Sequence, residues 1–250
     1  MTGNYVRDWE ELANADAKWA IVSDPRKKYN KWDHSDFFKT GETDVNGFIR
    51  KIRNYNVKLN TGEALDFGCG IGRLTTALSR FYDKVYGIDV SERMIREGRE
   101  LNKENKKIEF ILNTEPDLGL FNSSKFDLIY SVIVLQHLPD RGLIRSFLEE
   151  FKRVLKPEGI LYFQLPSIES RTPFFDRLLK LRSSLYHFLL NTGFSRQFCF
   201  KRLNLSPYMY MNHISSGEIG ELFSADFELL ELSNDRSENT SYIFRKTGPV

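Results

Sequence analysis

The chain has few cysteines and no long apolar run, and both absences narrow its class. Two cysteines, Cys69 and Cys199, occur among 250 residues, too few for a disulfide framework, and no CxxC pair indicates a metal site. No stretch of about 18 uncharged apolar residues is present, so the sequence predicts no membrane-spanning helix. The first twenty residues are polar and acidic and lack the apolar segment of a secretory signal. We therefore expect a cytoplasmic protein.

An excess of charge is also absent. The sequence has 36 basic and 34 acidic residues, a formal charge of +2, so its overall charge does not favour a nucleic-acid partner. Hydrophobic residues make up 41% and charged residues 28%, which is typical of a globular protein with a buried core. The length fits one α/β domain with additional segments, or two small domains.

Short apolar runs alternate with amphipathic helical patterns from residue 63 onward. The runs cover residues 63–67, 84–89, 108–112, 126–132 and 159–165. Apolar residues at helical spacing separate them, for example in 74–81 and 143–155. This alternation predicts a doubly wound α/β fold with a parallel sheet and right-handed crossovers. Two further runs, 227–234 and 240–246, predict an antiparallel hairpin at the edge of the sheet.

The patterning divides the chain into four predicted segments. An N-terminal helical cap covers residues 1–58, and the ligand-binding core covers 59–166. An insertion or substrate cap follows at 167–214, because that stretch fits no strand–helix repeat. Residues 215–250 form a last helix and the hairpin that completes the core.

Three glycines at alternate positions follow the first predicted strand in "ALDFGCGIGRLT" (64–75). Gly68, Gly70 and Gly72 permit positive φ and a close approach of backbone to ligand, whereas a plain turn needs one glycine. A strand, a glycine-rich turn and a helix together predict a nucleotide site. Asp89 ends the second run, 21 residues after Gly68, where an acidic side chain accepts hydrogen bonds from ribose hydroxyls.

Two residues separate the possible nucleotides. Arg73 stands where the dinucleotide fingerprint has its third glycine, which disfavours a dinucleotide-binding oxidoreductase. Asp66 precedes the turn, where its carboxylate repels phosphates but suits an ammonium group. A nucleoside that carries an amino acid and no phosphate satisfies both observations, and S-adenosylmethionine is such a molecule.

A series of motifs resembles the class I S-adenosylmethionine-dependent methyltransferases. "LDFGCGIGRLT" resembles their glycine motif, and "VYGIDVSERMI" (85–95) is similar to their ribose-binding segment. "FDLIYSVIVLQHLPD" (126–140) and "VLKPEGILYFQLP" (154–166) follow in the family's order, with Glu158 where the family usually has glycine. The resemblance implies a Rossmann-like sheet of seven strands, the last antiparallel, and methyl transfer that leaves S-adenosylhomocysteine.

The resemblance also implies cofactor-binding positions. These are Asp66, Gly68, Cys69 and Gly70 for the methionine end, Asp89 for the ribose, Val90 and Met94 beside the adenine, Asn113 and Thr114 near its amino group, Ser131 beneath the sulfonium, and Gln136. Thr114 occupies a place where the family normally has Asp. Gln136 either orients the cofactor or has a structural role.

His137 is the candidate catalytic base, because it follows the fourth strand on the side of the transferred methyl group. An imidazole there would deprotonate a hydroxyl or amine near neutral pH. The alternative is that His137 anchors its loop by bonding to backbone. No cluster of carboxylates is spaced to bind a metal, so no metal is expected.

Two parts of the sequence are candidates for acceptor binding. Phe37 and Phe38 form either a lid over the cofactor or a packing contact for the N-terminal helices. The stretch 171–212 is basic and rich in aromatics, and its candidate residues are Arg171, Arg177, Arg196 and Arg202, with His213 next to it. Such a stretch suits an anionic or aromatic acceptor or a membrane surface, or it is a solvated helical cap.

The predicted function is methyl transfer to the oxygen or nitrogen of a small-molecule or sugar-type metabolite. The alternative within enzymes is a methyltransferase that acts on RNA or protein, which the basic stretch favours. The alternative from another class is a non-catalytic protein that binds the nucleotide cofactor as a scaffold.

Overall fold

The computed structural model describes residues 3–55, 57–167, 172–234 and 239–248, and its central element is a seven-stranded sheet. The strands are β1 Glu63–Phe67, β2 Lys84–Asp89, β3 Ile108–Leu112, β4 Phe126–Ser131, β5 Leu155–Pro166, β6 Phe227–Asn234 and β7 Asn239–Lys246. Their spatial order is β3-β2-β1-β4-β5-β7-β6, and β7 runs antiparallel to both of its neighbours. The predicted doubly wound sheet with an antiparallel last strand is confirmed.

Eight α-helices accompany the strands within the described ranges. They are α1 Gly3–Ile21, α2 His34–Asn54, α3 Arg73–Leu78, α4 Glu92–Leu101, α5 Arg141–Val154, α6 Pro173–Asn191, α7 Arg196–Lys201 and α8 Ser216–Phe223. Polar caps explain where most of them begin, because a cap side chain accepts a hydrogen bond from an otherwise unpaired N–H in the first turn. Asp33 caps α2, Ser91 caps α4 and Asp140 caps α5. At α8, Ser215 and Glu218 form a reciprocal capping box.

Helices cover both faces of the sheet. On one face, the rings of Phe147 and Phe151 in α5 pack against Phe67 of β1, with centroids 4.7 and 5.0 Å apart. On the other face, Phe48 of α2 meets Tyr130 of β4 at 5.2 Å. Since α2 and the strands share one buried cluster, the second N-terminal helix is packed directly on the sheet.

The first helix is held at the carboxyl ends of the strands by the start of α4. Glu10 accepts hydrogen bonds from the Ser91 hydroxyl at 2.6 Å and from the Arg93 N–H at 3.1 Å. A carboxylate is stabilised at a helix N-terminus by the unpaired N–H groups and the helix dipole. Further along α1, Asp16 departs from helical geometry and accepts from the N–H groups of Trp19 and Asn30. These contacts fix α1 across the edge of the sheet.

The segment after β5 rests on the outer side of α1. His187 of α6 contacts Asp8 at 2.7 Å, and Arg196 of α7 contacts Glu11 at 2.6 Å. Tyr186 and Cys199, both fully buried, join α6 to α7. Helices α6 and α7 therefore form a layer on α1.

No helix within the described ranges combines the length and the apolar character needed to cross a bilayer.

Two glycines of α2 provide a matched test of how closely α2 approaches α3. A Cβ at Gly41 would lie 2.3 Å from the backbone oxygen of Arg73, whereas a Cβ at Gly47 would meet nothing within 4 Å. We expect Gly41→Ala to lower the free energy of unfolding by about 1–3 kcal/mol, the usual effect of overpacking. Gly47→Ala is expected to raise it by about 0.5–1 kcal/mol, because alanine favours helix interiors. Urea unfolding of the two variants measures both; equal effects would contradict this packing.

Candidate active site

A cavity opens at the carboxyl ends of β1, β2 and β4, beneath α1. It contains about 750 Å³ of empty space, counting its mouth. The strand order changes direction beside β1, and ligands of open α/β sheets bind in the crevice at such a point. The lining residues are Tyr5, Trp9, Ala20, Ile21, Phe67, Gly68, Gly70, Ile88, Asp89, Val90, Met94, Asn113, Val132, Ile133, Val134, His137, Leu138 and Phe147.

The glycine turn forms one wall of this cavity. Gly68 and Gly70 have φ of +75° and +55°, in the left-handed region that side chains rarely adopt. A Cβ at Gly68 would lie 2.4 Å from both γ-methyls of Val134, and one at Gly70 would lie 2.4 Å from Cδ1 of Ile21. The turn therefore requires glycine at both positions for conformational and for steric reasons.

Asp89 joins the glycine turn to the end of β2. Its carboxylate accepts hydrogen bonds from the N–H groups of Gly70 and Ser91, each at 2.9 Å, and it lines the cavity. Burial raises the pKa of Asp89, and these backbone hydrogen bonds act in the opposite direction. Burial and the charge of Asp89 raise the pKa of Tyr5 to about 12, so the Tyr5 hydroxyl remains a neutral donor.

Asp66 and Cys69 lie behind the turn and are not among the residues that line the cavity. Burial raises the pKa of Asp66 to about 6, and the Thr75 hydroxyl donates to its carboxylate at 2.6 Å. Burial also raises the pKa of the Cys69 thiol, which keeps it protonated. Both side chains support the turn from the interior; their contact with the methionine end of a cofactor stays a prediction.

His137 lines the cavity from a 3₁₀ turn, Leu135–His137, that follows β4. Its Nδ1 lies 2.7 Å from the backbone oxygen of Tyr210. Because a carbonyl only accepts, Nδ1 carries the hydrogen and Nε2 is the basic nitrogen. The imidazole also packs edge-on against Trp9, with ring centroids 5.4 Å apart. The geometry thus includes the backbone anchor, and the role of His137 as a base stays a prediction.

Two buried polar atoms beside the cavity have no hydrogen-bond partner in the described part of the chain. They are Oγ of Ser131, at the end of β4, and Oε1 of Gln136. Burying such an atom without a partner is costly, and unpaired groups of this kind occur at functional sites. Neither Ser131 nor Gln136 is among the residues that line the cavity, and the roles that the sequence predicts for them stay predictions.

The residues predicted to surround the adenine divide into two groups. Val90, Met94 and Asn113 line the cavity together with Asp89. The Asn113 amide is held in place, since it donates to the backbone oxygen of Asp117 at 2.9 Å and accepts from the N–H of Glu115 at 3.2 Å. Thr114 is exposed and is not among the lining residues.

The structure does not gather the predicted acceptor residues around the cavity. Phe37 is fully buried in a cluster with Ile71 and Met94, and Phe38 packs against Phe37. Among the polar candidates, Arg196 pairs with Glu11, Arg177 and Arg202 are exposed, and His213 contacts Arg141. Arg171 lies outside the described residues. A role of these residues in acceptor binding stays a prediction.

Sequence reasoning missed the part of the cavity wall that α1 supplies. Tyr5, Trp9 and Ile21 all line the cavity. Trp9, Leu12, Ala13 and Ala20 recur at helical spacing and indicate an amphipathic helix, but nothing local in the sequence places that helix over the sheet. Ile133 was also missed: it lines the cavity with φ of +59°, a strained conformation for a β-branched residue.

Residues 65–163 match the family model described as a methyltransferase domain. The chain is 34% identical to a ubiquinone biosynthesis O-methyltransferase from Pelagibacter ubique over 113 residues, an alignment that covers 45% of each chain. It is 31% identical over 135 residues to a demethylmenaquinone methyltransferase from Staphylococcus saprophyticus, 53% of this chain and 55% of that one. The chain thus spans about half the length of these curated relatives.

Two solved structures share the fold over nearly the whole chain. One is the N-methyltransferase NodS from Bradyrhizobium japonicum in complex with S-adenosylhomocysteine, 17% identical, with a TM-score of 0.58 and coverage of 97% of this chain and 98% of that one. The other is a DhpI complex with S-adenosylhomocysteine, which is 15% identical, with a TM-score of 0.59 and coverage of 99% of this chain and 98% of that one. At these identities the likeness establishes the fold.

The raised pKa of Asp66 predicts a pH-dependent stability. Its pKa is about 6 in the folded protein against an ordinary value of 3.8. Between these two pH values the folded state binds more protons than the unfolded state. The stabilising contribution of the protonated Asp66 carboxyl is therefore complete below about pH 4 and is lost as the pH rises through 6. The loss amounts to about 3 kcal/mol.

Asp66→Asn removes this titration while keeping a side chain of the same shape. We expect the unfolding free energy of the variant to rise relative to the wild-type protein by up to about 3 kcal/mol between pH 4 and 7, as measured by urea unfolding. Parallel pH profiles for the two proteins would show that Asp66 does not carry a raised pKa.

Proposed function

We propose that this chain, which carries a class I methyltransferase domain at residues 65–163, methylates a small molecule with an apolar or aromatic body, using S-adenosylmethionine. The observation that carries the proposal is the cavity itself. Its lining combines the glycine turn and Asp89 with apolar side chains and the imidazole of His137.

The residues present fit this cofactor. Gly68 and Gly70 give the turn the positive φ that it needs, and Asp89 lines the cavity, where its carboxylate would accept from ribose hydroxyls. Ser131 Oγ and Gln136 Oε1 are buried without a partner in the described part of the chain, next in sequence to the lining residues Val132 and His137. When bound, S-adenosylmethionine supplies an electrophilic methyl group on a positively charged sulfur.

Most of the residues that line the cavity are apolar, among them Val132, Ile133, Val134, Leu138 and Phe147. The polar side chains among the lining residues are those of Tyr5, Trp9, Asp89, Asn113 and His137. A pocket of this kind orients an apolar ligand with a few placed polar groups. A hydroxylated aromatic ring therefore suits it better than a sugar, whose many hydroxyls would need partners.

The names of the curated relatives support this class of acceptor. The relatives cited above are named for O-methylation in ubiquinone biosynthesis and for methylation of demethylmenaquinone. We therefore favour a ring hydroxyl of a quinol-type small molecule, with O-methylation as the reaction. A sugar-type metabolite is the second candidate, and RNA or protein is disfavoured because α1 covers the site.

The chain's own contribution is to position the acceptor, to exclude water and to hold a proton. Displacement at a sulfonium has a good leaving group, so alignment of the nucleophile supplies much of the rate. Trp9 and Tyr5 close the cavity from above, and Val132–Val134 border it from the sheet. His137, with its Nδ1 bonded to Tyr210, presents Nε2 as the site that would accept the hydroxyl proton.

The cofactor assignment predicts selective stabilisation. S-adenosylhomocysteine is expected to raise the Tm because it binds the folded state, whereas NAD is not. Asp89→Ala is expected to weaken the binding of S-adenosylhomocysteine by about 1.5–3 kcal/mol, as measured by calorimetry, because the ligand loses a hydrogen bond to a charged group. Glu104→Ala, an exposed acid on another part of the surface, is the control. Stabilisation by NAD alone would refute the assignment.

Two substitutions of His137 separate a base from an anchor. His137→Asn keeps an N–H close to the position of Nδ1, so it preserves the contact with Tyr210, and His137→Ala does not. If His137 is the base, both variants lower the formation of S-adenosylhomocysteine from a catechol or hydroquinone acceptor by about 10²–10⁴. If it is only an anchor, the Asn variant retains activity within tenfold. Absence of turnover with every acceptor, despite cofactor binding, would favour a non-catalytic scaffold.

A further inference from the structure

Helix α6 carries a row of apolar side chains on the side that faces solvent. Positions separated alternately by four and three residues share one face of a helix. The row consists of Phe174, Leu178, Leu181, Leu185 and Phe188, and we call these five residues the outer stripe. Phe174 is 80% exposed, and Leu181 and Phe188 are each 61% exposed. The outer stripe therefore lies on the opposite side of the helix from its buried contacts.

The inner side of α6 already has its partners. Tyr186 is fully buried with Cys199 and Leu205, and its hydroxyl lies 3.3 Å from the carboxylate of Glu11. His187 contacts Asp8 of α1. These contacts fix which side of the helix faces outward, so the outer stripe cannot turn inward without breaking them.

More apolar surface continues from the end of the helix. Phe194 and Phe198 are 46% and 41% exposed and pack on each other with ring centroids 5.5 Å apart. Monomeric soluble proteins rarely expose a contiguous apolar surface of this kind unless it binds something. The outer stripe and this pair together indicate a docking surface.

The charges beside the outer stripe are positive. At about 100° per residue, Arg177 and Arg182 lie on opposite flanks of the stripe. Lys201 and Arg202, at the end of α7, are exposed as well. Asp176 is the sole carboxylate between residues 172 and 203, and it is paired with Lys180 at 2.8 Å. The cations around the stripe therefore face no carboxylate of their own segment.

We propose that the outer stripe is a peripheral docking surface for a bilayer that carries anionic lipids. An amphipathic helix binds such a surface with its apolar side chains among the acyl chains and its arginines at the level of the headgroups. Arg177, which is exposed, and Arg182, which is half-buried and donates to the backbone oxygen of Asn204 at 2.6 Å, flank the stripe on its two sides. The proposal does not depend on methyl transfer.

A second copy of the chain is a poorer occupant. A two-fold contact would place each outer stripe on its equivalent, and would bring the arginines of both copies together. Nucleic acid is also a poorer occupant, because its phosphates would pair with the arginines but leave the five apolar side chains exposed. An anionic bilayer satisfies both the apolar and the basic parts of the surface.

The test is co-sedimentation of the full chain with vesicles of phosphatidylcholine and phosphatidylglycerol at a 7:3 ratio, compared with phosphatidylcholine alone. We expect the bound fraction on the anionic vesicles to be several-fold higher. Leu181→Ser/Phe188→Ser and Arg177→Glu/Arg182→Glu should each reduce it by at least about fivefold. The controls are Leu101→Ser/Leu120→Ser for apolar exposure and Arg50→Glu/Arg53→Glu for charge, which should stay within twofold of the wild-type protein.

Unchanged Tm values, from circular dichroism, establish that the variants are folded. Equal binding to both vesicle types, or no binding to either, would overturn the proposal. Equal losses in the control pairs would overturn it too, since binding would then not belong to the outer stripe. A concentration-dependent dimer in sedimentation velocity that Leu181→Ser/Phe188→Ser abolishes, without vesicle binding, would assign the surface to a second copy instead.

Discussion

The carboxylate of Asp89 holds together the part of the structure on which the site depends. It accepts hydrogen bonds from the N–H groups of Gly70 and Ser91, so one side chain fixes the glycine turn after β1 and the start of α4 after β2. Both backbone segments need that acceptor, because their donors are otherwise unpaired near the cavity. The carboxylate that holds the glycine turn therefore also lines the cavity.

The start of α4 connects Asp89 to helix α1. The backbone N–H of Ser91 donates to Asp89, and the Ser91 hydroxyl donates to Glu10 of α1. Ile21, farther along the same helix, fills the space that a side chain at Gly70 would need. A group placed where a Cβ of Gly70 would lie would therefore meet the side chain of Ile21. The contact of Ile21 with the turn and that of Glu10 with Ser91 join residues that lie 49 and 81 positions apart in the sequence.

The sheet and the glycine turn were predictable from sequence because both are local. Strand runs alternate with helical periodicity, and the positive φ of Gly68 and Gly70 follows from adjacent residues. The position of α1 was not predictable, because it depends on contacts such as Glu10 with Ser91 that no periodicity encodes. The orientation of α6 was hidden for a different reason. The helix is apolar on two sides, and the polar contacts of His187 with Asp8 decide which side faces inward.

The cavity and the outer stripe have related chemistry although they lie on opposite sides of α1. An acceptor that matches the apolar wall near Phe147 would partition into a bilayer, where its local concentration exceeds that in water. A protein bound to the same bilayer would meet that higher concentration, in the way that tethering raises the effective concentration of a second site. Docking would then lower the KM for an apolar acceptor and leave kcat unchanged. It would not affect a water-soluble acceptor, so vesicle dependence of KM reports how apolar the natural acceptor is.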